Sequence, residues 1–277
     1  MRVARNLFVA VLVVVAAVSA VESAGQIGVS PQPALDPRAM ETFLLEARII
    51  RERESKVGVT GTRIVTLTDG ATTHDAQVQT VDIAQTMFRA GDYTEMNFKD
   101  SYRYNIAAYR VAQLLDLQTV PMSVKRIVDG KDAAMTWWVD DIVMDEKVRV
   151  KARNSGPNPL RTTRQMQTMH VFDELIQNKD RNQGNILWDK QWTLWLIDHT
   201  RAFRLEKKLL KPERLLQCDR RIFERLKTIT EASLKDAAGD FLTKYERESL
   251  LVRRDRIVKL YTDRIAKQGE ATVLYES

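Results

Sequence analysis

The feature that most constrains the fold of this 277-residue chain is a pair of short apolar runs between Asn185 and Asp198. The runs occupy residues 186–188 and 192–197, and a polar turn at 189–191 separates them. Short apolar runs on either side of a polar turn predict a β-hairpin. Because a hairpin returns the chain to its starting point, Asn185 and Asp198 should lie side by side.

Three polar side chains at this hairpin form a candidate catalytic site. Asn185 and Asp198 carry oxygen atoms suited to Mg²⁺, which binds a few protein oxygens together with phosphate and water. Asp180 lies on the loop that enters the hairpin, where its carboxylate could accept a proton from an attacking hydroxyl group or orient it. The alternative is a polar surface loop that leads into an ordinary hairpin, with Asp198 as a turn or cap residue.

The composition is that of a soluble globular protein, with 44% hydrophobic and 29% charged residues. It argues against intrinsic disorder, collagen, a coiled coil and a polytopic membrane protein. The net charge of +6 is too modest to predict a nucleic-acid partner and is consistent with binding phosphates. The single cysteine, Cys218, excludes an internal disulfide bond and a Cys-based zinc site.

The first residues have the architecture of a secretory signal peptide. Arg2 and Arg5 precede an uncharged apolar run at 7–20, which is shorter than the ~20 residues that span a bilayer. Small or apolar residues favour cleavage after Ala20, with cleavage after Ser23 or a retained membrane anchor as alternatives. The sequence therefore predicts an exported protein, periplasmic or secreted, with no stable membrane span after the signal is removed.

Hydrophobic periodicity predicts strands and one helix early in the chain and helices later, which indicates an α+β fold. The predicted elements are a helix that starts at Asp36-Pro37 and carries Met40, Phe43, Leu44, Ala47 and Ile50, strands at 63–68 and 76–81, a helix at about 100–116, strands at 120–128 and 135–139, and mostly helices after 160. The charged run 253–256 is predicted to be a solvated helix face, and Cys218 to be buried in an amphipathic helix.

These elements predict four parts of the chain. Residues 1–20 form the signal peptide and residues 21–37 a linker rich in Gly and Pro. A small β-rich lobe follows at 38–140, and a larger, mostly helical lobe occupies 141–277.

The segment from Asp180 to Phe203 resembles atypical kinases, namely the phosphatidylinositol 3/4-kinase-like, secretory-pathway kinase and HipA-like proteins. The matching letters are Asp180-Arg181, Gly184-Asn185, Ile197-Asp198-His199 and Arg201-Ala202-Phe203. The resemblance covers roughly residues 56–265. The motifs of ordinary protein kinases do not match in letters, because no His-Arg pair precedes Asp180 and His199 stands where those kinases have Phe.

The resemblance implies a bilobal protein-kinase-like fold and ATP-dependent phosphoryl transfer. It implies ATP and Mg²⁺ (or Mn²⁺) as cofactors, with Asp180 as the catalytic base and Asn185 and Asp198 as metal ligands. The implied partners are a nucleotide and an unknown phosphoacceptor, which could be a protein, a lipid or a small molecule.

The small lobe offers two candidate nucleotide-binding features. Gly58 and Gly61 could form a loop that covers the phosphates, although a plain turn fits them equally well. Trp137 and Trp138 lie in the predicted connection between the lobes, where they could stack on adenine or belong to the core.

The strand lysine and helix glutamate that active kinases pair with each other are both missing. No lysine occurs between Lys56 and Lys99, and Gln79 stands at the lysine position, with Gln77 as the alternative. Asn105 stands where the family helix has its glutamate. Because a buried charge without its partner is costly, loss of both charges leaves an amide pair that can still form a hydrogen bond.

This double replacement leaves three hypotheses open. The protein is an enzyme with an altered nucleotide site, a pseudokinase that holds a partner, or an unrelated secreted protein without a nucleotide site. In the first case Arg63, Lys99 or Arg103 could supply the missing positive charge, and no spacing selects among them.

Overall fold

The computed structural model describes residues 36–54, 62–91 and 93–276. The predicted signal peptide at 1–20, nearly all of the predicted linker, and Gly58 and Gly61 lie outside the described residues. Most strands precede residue 146 and most helices follow it, which confirms the predicted α+β fold with a β-rich first lobe and a helical second lobe. No helix in the described ranges is both long and apolar enough to cross a bilayer.

The helices and strands follow one another along the described chain. They are α1 (Pro37–Glu46), β1 (Arg48–Glu54), β2 (Arg63–Thr68), β3 (Thr73–Gln79), β4 (Asp82–Ala90), β5 (Tyr93–Ser101), α2 (Arg103–Leu114), β6 (Ser123–Val128), β7 (Lys131–Trp137), β8 (Ile142–Asp145), α3 (Glu146–Lys151), α4 (Pro159–Ile176), β9 (Ile186–Asp189), β10 (Leu194–Leu196), β11 (Cys218–Asp219), α5 (Arg220–Thr228), α6 (Glu231–Ala238), α7 (Lys244–Gln268), α8 (Glu270–Val273) and β12 (Leu274–Tyr275).

The first lobe is a five-stranded antiparallel sheet in the order β1-β2-β3-β7-β6. Helix α1 begins as predicted, because the Asp36 side chain accepts hydrogen bonds from the backbone N–H groups of Arg38 and Ala39 at 2.9 Å. The helix ends at Glu46, so the prediction of Ile50 on its face is wrong. From residue 48 the chain pairs with β2, and this sheet pairing overrides the weak helical pattern.

A separate two-stranded hairpin, β4–β5, is inserted between β3 and α2. Hydrophobic periodicity did not predict it. Its side chains contact the second lobe at two places, through Lys99 to Glu246 and through Glu95 to Arg204. The hairpin is therefore a structural connection between the two lobes.

The second lobe confirms the predicted hairpin of β9 and β10, in which Trp188 pairs with Leu194 and Ile186 with Leu196. Cys218 does not lie in a helix: it belongs to β11, which pairs in parallel with β12. Helix α5 begins only after this strand, with Asp219 as its N-cap. The predicted burial of Cys218 is confirmed, and this burial raises the pKa of its thiol.

Glu246 joins the N-terminus of α7 to both the β4–β5 hairpin and α2. Its carboxylate, 1% exposed as a residue, accepts hydrogen bonds from Lys99 Nζ at 2.6 Å, from the Tyr104 hydroxyl at 2.5 Å and from the Thr243 backbone N–H at 2.7 Å. Burial opposes ionisation, but the bonds from Lys99 and Tyr104 prevail and hold the pKa of Glu246 below its ordinary value of 4.5. The buried Glu246 carboxylate thus joins α7, α2 and the β4–β5 hairpin.

We expect Glu246→Gln to lower the free energy of unfolding at pH 7 by about 2–3 kcal/mol, because it leaves the Lys99 ammonium unpaired. Because the folded-state pKa is depressed, this stabilisation is present above pH 4.5 and is lost as the pH falls through the folded-state value. Urea unfolding at pH 7 and at pH 4 measures both effects. Between pH 7 and pH 4, the free energy of unfolding should fall less in Glu246→Gln than in the wild type.

Glu248→Gln is the matched control, since Glu248 lies on the same helix with its side chain 44% exposed. We expect the control to change the unfolding free energy by less than about 0.5 kcal/mol. Equal effects of the two substitutions would show that the Glu246 contacts do not stabilise the fold.

Candidate active site

The β9–β10 hairpin brings Asn185 and Asp198 together, as the sequence predicted. The backbone N–H of Ile197 donates to the Asn185 carbonyl oxygen at 3.2 Å. Arg181 Nη1 donates to the carbonyl oxygens of both Asn185 and Ile197 at 2.8 Å. One guanidinium group therefore holds the two ends of the hairpin in place.

Arg181 is itself fixed to helix α4. It forms a bidentate ion pair with Asp173, with Nε 3.0 Å from Oδ2 and Nη2 3.1 Å from Oδ1. Both side chains are largely buried, at 8% and 12% exposure. Charge-assisted, two-point contacts of this kind define orientation as well as distance. The loop that carries Asp180 is thus anchored to the core of the second lobe.

Asp180 lies half-buried beside this anchor. Arg201 Nη1 is 3.7 Å from Asp180 Oδ2. The backbone oxygen of Asp180 accepts a hydrogen bond from Asn185 Nδ2 at 3.4 Å. Burial raises the pKa of Asp180; the positive charge of Arg201 opposes this rise, and the negative charge of Asp198 adds to it. The structure thus places the predicted base next to both predicted metal ligands.

Asp198 occupies a left-handed backbone conformation, with φ of +54°. Aspartate is one of the few residues that adopt this conformation readily. Its Oδ1 accepts a hydrogen bond from the Thr200 hydroxyl at 3.1 Å. The turn is held from the first lobe as well, because the N–H of His199 donates to Asn105 Oδ1 at 2.7 Å.

Gln79 and Asn105 form the amide pair that the sequence predicted. Asn105 Nδ2 donates to Gln79 Oε1, and the two residues are only 6% and 2% exposed, respectively. Of the two glutamines considered for the lysine position, Gln79 is the one that contacts Asn105. Since Asn105 also accepts from the His199 N–H, the pair connects β3 and α2 to the turn at Asp198. The pair joins these elements without carrying a charge.

The three basic residues considered as replacements for that charge bind elsewhere. They are Arg63, which pairs with Glu52 and Asp129; Lys99, which pairs with Glu246; and Arg103, which donates to the Asp240 carbonyl oxygen. The positive charge beside Asp180 comes instead from Arg201 of the second lobe.

Glu95 of β5 organises this positive charge, and sequence reasoning missed it. Its buried carboxylate lies 2.9 Å from Arg201 Nη2, 3.2 Å from Arg204 Nη2 and 3.6 Å from Lys179 Nζ. The guanidinium groups of Arg201 and Arg204 also lie 5.0 and 5.6 Å from the centre of the Phe98 ring. Arg201 could have been found from the Arg-Ala-Phe motif, but no sequence signal marks Glu95, because its partners depend on the β4–β5 hairpin.

A further carboxylate, Asp100, lies at the end of β5 near Asp198 and Asp180. It is 6% exposed, and its Oδ1 has no hydrogen-bond partner among the described residues. Burial raises the pKa of Asp100, and the negative charges of Asp198 and Asp180 raise it further. A hydrogen bond from Thr200 and the positive charge of Arg201 oppose this rise. The site therefore brings three carboxylates near one another.

This group of carboxylates would suit a divalent cation. Within the described ranges, no three His, Cys, Asp or Glu side chains form a metal cage made by protein alone. Magnesium sites of kinases do not need one, since one or two carboxylates bind the ion together with phosphate and water. The side-chain oxygens of Asn185 and Asp198, with the other carboxylates near them, would meet this requirement.

The two tryptophans near the connection between the lobes differ in environment. Trp137 stacks on His74 with ring centres 3.8 Å apart and packs against Phe43, so it belongs to the core. Trp138 is 37% exposed, and the Arg53 guanidinium lies 5.9 Å from the centre of its ring. Of the two, Trp138 has the accessible face that stacking on a base requires.

No protein-family model and no curated protein matches this sequence. Solved structures with a similar fold do exist. A structure described as hydra Fam20 with sugar is 14% identical, has a TM-score of 0.65 and matches over 87% of this chain and 92% of its own. The Golgi casein kinase with Mn/ADP bound is 12% identical, has a TM-score of 0.62 and matches over 88% of this chain and 81% of its own.

A bacterial kinase shows the same likeness. The Helicobacter pylori proinflammatory kinase CtkA is 12% identical, has a TM-score of 0.54 and matches over 82% of this chain and 98% of its own. At such low identity the likeness concerns the fold, and function has to be argued from the site. The chain shares the fold of these solved structures, with a β-rich first lobe and a helical second lobe.

Proposed function

We propose that this protein is an atypical-kinase-like phosphotransferase that uses a nucleotide and Mg²⁺ or Mn²⁺. The observation that carries the proposal is the pair of hydrogen bonds from Arg181 to the carbonyl oxygens of Asn185 and Ile197. These bonds hold the two ends of the hairpin together, so that Asn185 and Asp198 are adjacent and near Asp180. The Golgi casein kinase, which shares the fold, was solved with Mn/ADP bound. The phosphoacceptor could be a protein, a lipid or a small molecule.

Each residue of the proposed site has one role. Asp198 and Asn185 hold the divalent cation through their side-chain oxygens. Asp180 accepts the proton of the acceptor hydroxyl group and orients its oxygen for attack. Arg201, 3.7 Å from Asp180, holds that carboxylate in position. The cation, when bound, neutralises negative charge on the phosphates during transfer.

The second candidate is a pseudokinase or scaffold that lacks phosphoryl transfer. The Gln79–Asn105 pair favours it, because a buried amide pair supplies no positive charge to the phosphates. The pair also preserves the contact of α2 with the His199 backbone, so the fold can persist without catalysis. The two candidates differ in phosphoryl transfer, which the pseudokinase or scaffold lacks.

Thermal unfolding with and without ATP and Mn²⁺ tests the proposed site. A ligand that binds only the folded state at a hundred times its Kd stabilises by about 2.7 kcal/mol. For a chain of this size we therefore expect the melting temperature to rise by roughly 5–10 °C. The rise should disappear when EDTA removes the metal. Absence of any shift with ATP and either metal would contradict the enzyme.

Transfer of label from γ-³²P-ATP separates the two candidates. Water, casein and phosphatidylinositol vesicles are suitable acceptors, because the acceptor class is unknown. Metal-dependent release or transfer of label that Asp180→Asn removes supports the enzyme. Nucleotide binding without transfer to any of the acceptors supports the pseudokinase.

We expect the effects of Gln79→Lys and Asn105→Glu on the free energy of unfolding to be strongly non-additive, because together they restore the lysine–glutamate ion pair of active kinases. Gln79→Lys alone and Asn105→Glu alone should each lower the unfolding free energy by about 3 kcal/mol, because each buries an unpaired charge. The double variant should recover most of this loss, since a glutamate at 105 can still accept from the His199 N–H. Urea unfolding of all four proteins gives the coupling energy.

The double variant should also bind ATP with Mn²⁺ about tenfold more tightly, because the new ammonium group can contact phosphate. Gln77→Lys is the matched control on the same strand, and it should show neither the coupling nor the tighter binding. Additive losses in the double variant would mean that positions 79 and 105 do not occupy the ion-pair positions.

We further propose that the protein is exported and that its signal peptide is removed. The support is the sequence pattern of residues 1–20 alone. Expression of the full chain in a bacterium with a secretory pathway, followed by N-terminal sequencing of the periplasmic and medium fractions, tests it. A mature protein that starts at Val21 is the expected result, and an intact Met1 in the cytoplasm would contradict the proposal.

A further inference from the structure

We propose that Asp100, at the end of the inserted β4–β5 hairpin, is a third acidic group of the metal site and binds the divalent cation together with Asp198. The inference rests on the proposed function, because it concerns the same cation. It adds a ligand from the first lobe that lies outside the Asp-Asn-Asp pattern of the sequence.

The first observation is the unsatisfied state of the Asp100 carboxylate. The residue is 94% buried, and Oδ1 has no hydrogen-bond partner among the described residues. A buried carboxylate oxygen without a donor is expensive, and folded proteins satisfy such atoms with a partner, a water molecule or a metal ion. A bound metal ion would supply the partner that this oxygen lacks among the described residues.

The second observation is the attachment of Asp100 to the turn that carries Asp198. The N–H of Ser101 donates to the Thr200 carbonyl oxygen at 2.9 Å, which joins the end of β5 to this turn. The Thr200 hydroxyl donates to Asp198 Oδ1 at 3.1 Å and also lies against the Asp100 carboxyl group. A hydroxyl group has a single proton, so it can satisfy only one of the two carboxylates.

The third observation is the local balance of charge. Asp100, Asp180 and Asp198 lie close enough to interact electrostatically with one another. Arg201 is the cation next to them, but its Nη2 is engaged by Glu95 at 2.9 Å. The three carboxylates thus lie near Arg201, which Glu95 also binds, and Asp180 interacts with Arg181 as well. A divalent cation with oxygen ligands would balance charge between Asp100 and Asp198.

A neutral, merely structural Asp100 is the competing explanation, and the two differ in what Asp100→Asn does. Asparagine has the same shape and can accept from Thr200, but it is a weaker ligand. If Asp100 binds metal, the substitution weakens Mn²⁺ binding and leaves the metal-free protein equally or more stable, because like-charge repulsion is relieved. If Asp100 is only structural, Mn²⁺ binding is unchanged.

Titration of Mn²⁺ in the presence of ADP, followed by electron paramagnetic resonance of the free ion, measures the binding directly. We expect Asp100→Asn to raise the Kd for Mn²⁺ about tenfold or more, with no loss of melting temperature in EDTA. Asp82→Asn is the matched control: Asp82 is an exposed carboxylate of the same hairpin that accepts from Ser101 Oγ at 2.7 Å. The control should bind Mn²⁺ like the wild type.

Asp198→Asn distinguishes failure of this inference from failure of the proposed function. If Asp198→Asn loses Mn²⁺ binding and Asp100→Asn stays within twofold of the wild type, the inference is wrong and the proposed site stands. If the wild type binds no Mn²⁺ with ADP, both are wrong. Should Asp100→Asn fail to fold, Asp100→Ser provides the same test, and retained affinity in that variant overturns the inference.

Discussion

Asp198→Asn should abolish metal-dependent nucleotide binding, whereas Asp180→Asn should leave this binding intact and remove phosphoryl transfer. The two residues lie at the same site but have different roles. Asp198 follows the end of the hairpin that Arg181 holds, and in the proposed function its carboxylate binds the cation. Asp180 lies on the preceding loop beside Arg201, and in the proposed function it accepts the proton of the acceptor hydroxyl group.

The expected magnitudes follow from these roles. Loss of a metal-binding carboxylate should weaken Mn²⁺–ADP binding by about two orders of magnitude, which removes the nucleotide-induced rise in melting temperature. Loss of a general base should reduce the transfer rate by about 10²–10⁴-fold, because general-base catalysis typically contributes that much. The Kd for Mn²⁺–ADP should stay within about twofold of the wild type. Calorimetric titration and label transfer measure the two quantities separately.

Asp141→Asn is a suitable control for both variants, because Asp141 is exposed and pairs with Lys190 at the surface. It should change neither quantity. If Asp180→Asn weakened binding as much as Asp198→Asn, the two carboxylates would share one role and the division into base and ligand would be wrong.

The second large effect concerns stability: Arg253→Met should destabilise the fold severely. Arg253 is completely buried in α7, and its Nε donates to the Leu175 carbonyl oxygen at 2.9 Å. Its Nη1 donates to the carbonyl oxygens of Arg204 at 2.9 Å and Glu206 at 2.7 Å. Burial lowers the pKa of Arg253 to about 10, so it stays charged at neutral pH. One side chain thus joins α7 to the end of α4 and to the segment that follows Asp198.

Methionine fills a similar volume but leaves these buried carbonyl oxygens without donors. We expect a loss of about 3–5 kcal/mol in the free energy of unfolding, which is a large part of the 5–15 kcal/mol typical of a domain. Arg256→Met, three residues further on the exposed side of the same helix, should change it by less than about 0.5 kcal/mol. Urea unfolding compares the two, and equal losses would show that the buried contacts of Arg253 contribute little.

Arg253 also shows where sequence reasoning ends. Residues 253–256 were predicted to be a solvated helix face, and for Arg253 this is wrong. The carbonyl groups that satisfy its guanidinium come from residues 175, 204 and 206, which no local pattern brings together. The sequence alone does not distinguish a buried arginine from an exposed one, because the acceptors of a buried arginine come from distant parts of the chain.

The site was largely predictable because its geometry is local. A hairpin fixes the proximity of Asn185 and Asp198 within a few residues, whereas Asn105 and Gln79, with Gln77 as the alternative, were singled out by the resemblance to kinases. The β4–β5 hairpin was not predicted, and with it Glu95 and Asp100 were missed. Their importance arises only where this insertion contacts the second lobe, so the chain order alone carries no sign of it.

The most direct test of the account is the position of a metal ion in crystals grown with Mn²⁺ and ADP. Anomalous scattering locates manganese independently of the protein density. The account predicts a peak about 2.1 Å from a carboxylate oxygen of Asp198 and from the side-chain oxygen of Asn185, with the diphosphate bound to it. Ordered ADP in the cleft with no manganese at Asp198, or manganese bound elsewhere on the protein, would contradict it.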